Sequence, residues 1–390
     1  MAQLEKYFKV LHEHGGSDLH ISAGSVPMVR IQGQLKRLRT DVLDDYDVMQ
    51  MLKEVTPESK LNEFAECGDV DFGMSAENGH RFRVNLFRHH RGVGAAFREI
   101  PGDIHSIDDL ELPAVLKDLV MQPKGLVLVT GPTGSGKSTT LAAMIDHANK
   151  HRRDHILTIE DPIEFVHEPF NCLINQREVG RDTKGMHNAL RGALREDPDI
   201  ILVGEMRDYE TIRLALEAAE TGHLVLSTLH TVNAAKTVDR IVEVFPDAMQ
   251  AQVRSSFADN MRGVISQVLF KRLDKQGRTA ALEVLLGTTA VRNLIRERKS
   301  HQLNTAMQMG RNVGMQTLDS DMMRLVGEGV ISLDDAGMYA EDKGRLNTYL
   351  ERAQRTEVLP EEDVNPAQNI IDRFKNFSRQ KYEVQHIEEQ

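Results

Sequence analysis

Residues 125–140 read GLVLVTGPTGSGKSTT, and no other stretch limits the fold so tightly. Gly131, Pro132, Thr133, Gly134, Ser135, Gly136, Lys137 and Ser138 satisfy the pattern G-x-x-x-x-G-K-S/T. A buried strand, Leu126–Val129, leads in, and a helix from Thr139 toward residue 150 leads out. The glycines let backbone N–H groups converge on a β-phosphate, which a loop with side chains at those positions would block. The helix N-terminus adds its dipole. Lys137 is expected to reach the β- and γ-phosphates, and the Ser138 hydroxyl to ligate Mg²⁺.

The surrounding texture agrees. From residue 114, apolar runs (GLVLVT, HILTIE, DIILVGE, HLVLSTL) alternate with helical patterns near 186–196, 209–220 and 234–243. Continuous apolar strands alternating with helices predict an α/β fold with a parallel sheet covered on both faces. Residues 248–350 read as mostly helical, interrupted by a hairpin over 267–286. The first hundred residues differ. They predict a helix over 4–14, strands at LHIS and MVRI with a hairpin at Gln32-Gly33, a helical pattern over 45–66, and three strands over 69–100 turning at Glu77-Asn78-Gly79. A chain of 390 residues exceeds one ordinary core, so two domains are expected. They are a small α+β domain over 1–100 and an α/β domain over 119–350, with a turn-rich linker over 101–118 and a charged tail over 351–390. In the tail, Ile370, Ile371, Phe374 and Phe377 fall at helical spacing.

Hydrolysis needs an acid beside the γ-phosphate. The run Asp199-Ile-Ile-Leu-Val-Gly204-Glu205 ends a strand in Glu205, a base positioned to polarise water. Gly204 stands where many phosphate-loop enzymes place an Asp that orders the magnesium shell. A second strand ends in Glu160, Asp161 and Glu164, which either supply that outer shell or cap a helix. A third strand is bracketed by His223 and His230. Their offset of seven points the side chains to opposite faces, which argues against a metal pair. His230, at the carboxyl end, is placed to sense the γ-phosphate. Both histidines also fit purely structural roles. Arg81, Arg83 and Arg98 lie on strands of the first domain, with 81 and 83 on one face. They form either a solvated basic face or a source of arginine fingers for a neighbour's nucleotide.

Composition removes other classes. The two cysteines, Cys67 and Cys172, exclude a disulfide framework and a four-cysteine zinc site, so no zinc is expected. The amino-terminal residues lack the apolar core of a signal peptide, and no run of about 18 apolar residues exists to span a membrane. A net charge of −11 disfavours a nucleic-acid partner. The guanine-reading Asn-Lys-x-Asp motif and the Leu-Ser-Gly-Gly transporter signature are both missing.

Taken together, GPTGSGKSTT, TIEDPIEF, QREVG, LREDPDIILVGEMRD and ETGHLVLSTLHT resemble the ATPases of type II and type IV secretion. AVRNLIRE at 290–297 and GMQTLD at 314–319 are most similar to the type IV pilus retraction ATPases. The resemblance covers nearly all of residues 1–345. It implies a RecA-like P-loop ATPase domain preceded by a small PAS-like domain, using ATP and Mg²⁺. Gly131–Thr139, Glu160 and Asp161 would then hold the nucleotide. Glu205 falls on the catalytic glutamate, Glu160 to Glu164 on an acidic box, His223 and His230 on a histidine box. Arg83, Arg98 and Arg81 fall on arginines sent to the nucleotide. Gly204 is ordinary for this group. The implied assembly is a cytoplasmic homohexamer, peripheral at the inner membrane. Its partners would be the polytopic pilus platform protein and a paralogous retraction ATPase. The missing four-cysteine insert favours retraction over assembly or secretion.

Overall fold

The computed structural model describes residues 3–31, 33–77, 79–100 and 102–340. Gln32 and Asn78 of the two expected turns, residues 341–350 and the whole 351–390 tail, including its amphipathic stretch, lie outside the described residues.

The described chain begins α1 (Glu5–Glu13), β1 (Gly16–Ser22), β2 (Met28–Ile31), β3 (Gln34–Arg37), α2 (Asp45–Val55), α3 (Glu58–Cys67), β4 (Asp69–Ser75), β5 (Arg81–His89) and β6 (Gly92–Ile100). It continues through α4 (Val115–Val120), β7 (Gly125–Thr130), α5 (Lys137–His151), β8 (His155–Glu160), β9 (Leu173–Glu178), α6 (Met186–Ala193), β10 (Ile200–Val203), α7 (Tyr209–Thr221), β11 (Leu224–Leu229), α8 (Ala234–Glu243) and α9 (Asp247–Asn260). The last elements are β12 (Met261–Lys271), β13 (Arg278–Leu286), α10 (Thr289–Arg296), α11 (Leu303–Met309), α12 (Leu318–Gly327) and α13 (Leu333–Tyr339). The alternation expected from residue 114 onward is present. None of these helices is long and apolar enough to cross a membrane.

Two compact units divide the chain: Met1–His105 with Ala148–Gly204, and Ser106–His147 with Glu205–Gln390. The first holds an antiparallel sheet in the order β3-β2-β1-β6-β5-β4. Helix α1 covers it through Tyr7, Phe8 and Leu11, an apolar stripe at helical spacing. On β5, Phe82, Val84 and Leu86 are buried while Arg81 and Arg83 point the other way, the alternation of a half-covered strand. The helical pattern expected over 45–66 is present as two helices. Thr56 is extended (φ −97°, ψ 126°) because Pro57 excludes the helical region for the residue before it. Asp44 and Asp47 close a capping box at the start of α2. The same unit holds three parallel strands, with β8 paired to β9 on one side and β10 on the other.

In the second unit, β7 lies parallel to β11 on one side and β12 on the other, and β12 turns back antiparallel into β13. Every residue of β7 and β11 is buried, which is why their sequences are unbroken apolar runs. The expected helical reading before residue 267 is corrected here: β12 begins at Met261. MRGVISQVLF is buried on both faces for most of its length, and such a run has no periodicity to tell strand from helix. Asp208, Asn233, Thr317 and Ser332 each accept a backbone N–H and start α7, α8, α12 and α13. Val268, Phe270, Met322, Leu325 and Ile331 form a second apolar cluster over the β12–β13 hairpin.

Candidate active site

The phosphate loop is built as its sequence requires, between β7 and α5. Gly131 has φ +142°, and an added Cβ would stand 2.4 Å from the Gln267 carbonyl oxygen, so only glycine fits there. Pro132, Thr133 and Gly134 form the exposed lip, while Ser135 and Lys137 are buried. Ser138 and Thr139 are half-buried in the first turn of α5. The loop rests on β12. Gln267, 1% exposed, donates from Nε2 to the Ser135 carbonyl at 2.5 Å and accepts from Thr140 Oγ1 at 3.0 Å. Thr130 Oγ1 donates to Ser266 Oγ at 2.8 Å beside it. Ser135 Oγ is buried without a hydrogen-bond partner inside the loop. A buried lysine, an orphan hydroxyl and a helix N-terminus at one loop fit a polyanionic phosphate.

Three expected residues converge in the same unit. Lys137 Nζ donates to the carbonyls of Gly131 and Pro132 at 2.9 and 3.0 Å and lies 3.5 Å from His230 Nδ1. His230 Nε2 lies 3.0 Å from Glu205 Oε1. The other oxygen of Glu205 is held by Arg207 Nη2 at 2.8 Å. Burial alone would push the Glu205 carboxyl up, but Arg207, and then His230, hold it below the usual carboxylate range. Glu205 is therefore ionised at neutral pH, as a base must be. His223 is at the opposite end of β11, with Nδ1 3.0 Å from the Ala218 carbonyl of α7.

The remaining expected residues belong to the first unit. Arg83 and Arg98 are directly opposite one another on β5 and β6, and Arg81 precedes Arg83 by one strand repeat, so all three share a face. Each has a carboxylate partner. Arg81 Nη2 lies 3.3 Å from Glu178 Oε2, Arg98 Nε donates to Asp18 Oδ1 at 2.9 Å, and Arg83 forks onto Asp71. The Asp71 hydrogen bonds raise the Arg83 proton affinity against burial, and Asp71, Glu164 and Asp161 add attraction. At the end of β8, Glu160 is buried enough that its carboxyl is pushed up to about 7, against hydrogen bonds from Thr158 and Gln176. Gly204 ends β10 against this residue. A Cβ there would stand 3.3 Å from the Ile159 carbonyl and 3.4 Å from Glu160 Cα, so the glycine is the shape that lets the two strand ends approach.

Sequence reasoning missed Gln267, Arg207, Glu178 and Asp71. Only Arg207 left a local signal, two residues after Glu205 in GEMRD.

Residues 103–333 match the family described as type II/IV secretion system protein. The type IV pilus retraction ATPase PilT of Pseudomonas aeruginosa is 53% identical over 324 residues, covering 83% of this chain and 94% of that protein. The type IV pilus ATPase PilU of the same organism is 38% identical over 348 residues, covering 89% of this chain and 91% of that one. A crystal structure of the pilus retraction motor PilT with bound ADP is similar with a TM-score of 0.83 at 44% identity, covering 89% of this chain and all of that one. The chain belongs to the type II/IV secretion system protein family, among its type IV pilus retraction ATPases.

Proposed function

We propose that this chain hydrolyses ATP and uses the energy to power type IV pilus retraction, the disassembly that drives twitching motility. The observation that carries the reading is the unbroken series Lys137, His230, Glu205 beside the phosphate loop. It occurs in a chain 53% identical to a retraction ATPase over most of its length. On binding, Lys137 exchanges the Gly131 and Pro132 carbonyls for the β- and γ-phosphate oxygens. Ser138 would hold Mg²⁺, which would supply positive charge against the charge developing on the transferred phosphoryl. Glu205 orients the attacking water, and His230 links that base to the lysine, so the base senses whether a γ-phosphate is present.

The wider assembly is part of the same reading. The chain forms a cytoplasmic homohexamer at the inner membrane, with a PAS-like domain over 1–100, a linker over 101–118 and a RecA-like domain over 119–350. Arg83, Arg98 and Arg81 would serve a neighbouring subunit's nucleotide, and Glu160, Asp161 and Glu164 would supply carboxylates to the outer shell of a bound Mg²⁺. His223 sits at an interface. The ring docks on the pilus platform protein and works beside a paralogous retraction ATPase. The relationship to PilU of Pseudomonas aeruginosa supports such a paralogue.

The test is Glu205→Gln as the only copy in a piliated cell. Removing a general base costs about 10²–10⁴-fold in hydrolysis. Excess surface pili with lost twitching, and nucleotide binding retained in the purified variant, are expected. Bald cells would overturn the retraction reading.

A further inference from the structure

His12 and His80 both turn Nδ1 toward one oxygen, Oε1 of Glu99, at 2.9 and 2.8 Å. The two rings lie 4.0 Å apart, centroid to centroid. The residues come from α1, from the position just before β5, and from β6. Their convergence follows from the aromatic core beneath. Phe8 stacks on Phe82 at 4.3 Å and meets Phe97 edge-on at 5.2 Å. His12 is one helical turn beyond Phe8. His80 is two residues before Phe82 and Glu99 two after Phe97. Steps of four on a helix and two on a strand stay on one face. The contact that docks the helix therefore delivers three metal-binding groups to its rim.

We propose that His12, His80 and Glu99 bind a first-row transition-metal dication, Zn²⁺ foremost, which ties α1 to the sheet. Two imidazoles and a carboxylate are a three-protein-ligand zinc set, with solvent in the fourth position. Imidazole also favours Zn²⁺, Cu²⁺ or Ni²⁺ over the oxygen-seeking Mg²⁺. The ligand atoms lie within 4.8 Å of one another. Bonds of about 2.0–2.2 Å in a tetrahedron hold ligand atoms roughly 3.3–3.5 Å apart, so small side-chain rotations open the present distances enough. The side chains of Glu99 and His80, 13% and 28% exposed, anchor the site, while that of His12 at 55% leaves a path for entry. The expectation of no zinc rested on cysteines alone, and this set uses none. The site is remote in sequence from the phosphate loop and does not depend on the retraction reading.

The experiment uses the full chain, stripped with a chelator, desalted and free of nucleotide, titrated with Zn²⁺ by calorimetry. One saturable site per chain and a raised Tm are expected. His12→Gln and His80→Gln should each weaken it at least about tenfold, no less than the loss of an outer-shell partner costs. The double variant should abolish it. His14→Gln, an exposed ring bonded to the Val10 carbonyl, should change nothing. Circular dichroism confirms that the variants fold. The proposal is overturned if the wild type binds Zn²⁺ no better than the double variant, or if His14→Gln weakens binding as much as His12→Gln.

Discussion

Gln267 offers the sharpest test of how the phosphate loop holds its shape. Its Nε2 fixes the Ser135 carbonyl at 2.5 Å, and its Oε1 takes the Thr140 hydroxyl at 3.0 Å. In a planar trans peptide the carbonyl and the following N–H point in opposite directions. Pulling the Ser135 carbonyl toward β12 therefore aims the Gly136 N–H away from β12 and into the loop. Gln267→Leu keeps the side-chain volume but deletes both bonds and leaves a buried carbonyl and hydroxyl to find other partners. A buried group left without its partner costs about 1–3 kcal/mol, so with two such groups the variant should lose roughly 2–6 kcal/mol of unfolding free energy. The loop must then order itself on binding. An ordering cost of about 1–2 kcal/mol weakens ADP roughly 5- to 30-fold. The assay is calorimetric ADP titration of the folded variant beside urea unfolding. If Gln267→Leu is destabilised yet binds ADP within twofold of the wild type, the residue is core packing and the buttress argument fails.

Arg207→Ala should shift the acid limb of the pH–rate profile upward. Burial then acts on Glu205 with one cation fewer to oppose it, and a base must be ionised to work. An acid limb that stays in place would show that Arg207 does not set the proton affinity of the base. Glu160 binds its proton more tightly folded than unfolded, with the carboxyl near 7 against an ordinary 4.5. Its contribution to stability is thus full below about pH 4.5 and is lost as pH rises toward 7. Glu160→Gln should gain up to about 3 kcal/mol on the wild type between pH 5 and pH 8 in urea unfolding, and parallel stability–pH curves would refute this. Gly204→Ala must push a Cβ to 3.3 Å from the Ile159 carbonyl, which the parallel ladder holds in place. A loss of about 1–3 kcal/mol is expected from chemical unfolding, and an unchanged midpoint would show that the strand ends can part.

What the sequence reveals depends on how local the cause is. The phosphate loop and the fully buried β7, β10 and β11 are legible because each is specified by its own residues. β9 escaped because it is an edge strand: LINQRE buries only Glu178, and Leu173 is 58% exposed, so no apolar run marks it. The break at Pro57 was readable from the proline alone and was overridden by the helical spacing of Val48, Met51, Leu52 and Val55. Gln267 was illegible for a different reason. It is 132 residues from the carbonyl it holds, and a buried glutamine inside a strand has no local signature. Glu178 and Asp71 were hidden in the same way, since each becomes significant only once its arginine is placed.

The arginine face shows what geometry adds to spacing. Like charges directly opposite in a sheet repel, yet Arg83 faces Arg98. A merely solvated face has no need of that arrangement, and here it persists because each guanidinium has its own carboxylate. The three pairs differ in what it takes to break them. The Arg83 and Asp71 side chains are 43% and 39% exposed, so water replaces much of what their bond supplies and separation costs less than about 1 kcal/mol. Arg81 and Glu178 are 15% and 5% exposed, and Glu178 also accepts the Ile163 N–H at 3.2 Å, so removing Arg81 strands a buried charge. Arg98 is exposed, but Asp18 beneath it is buried. Asp18 keeps the Ser17 hydroxyl at 2.7 Å and Arg30 at 3.7 Å when Arg98 leaves. Of three residues that spacing cannot distinguish, Arg83 and then Arg98 leave their carboxylates at the lower cost. Arg81 leaves at the highest cost, so it is the last of the three that a nucleotide could recruit.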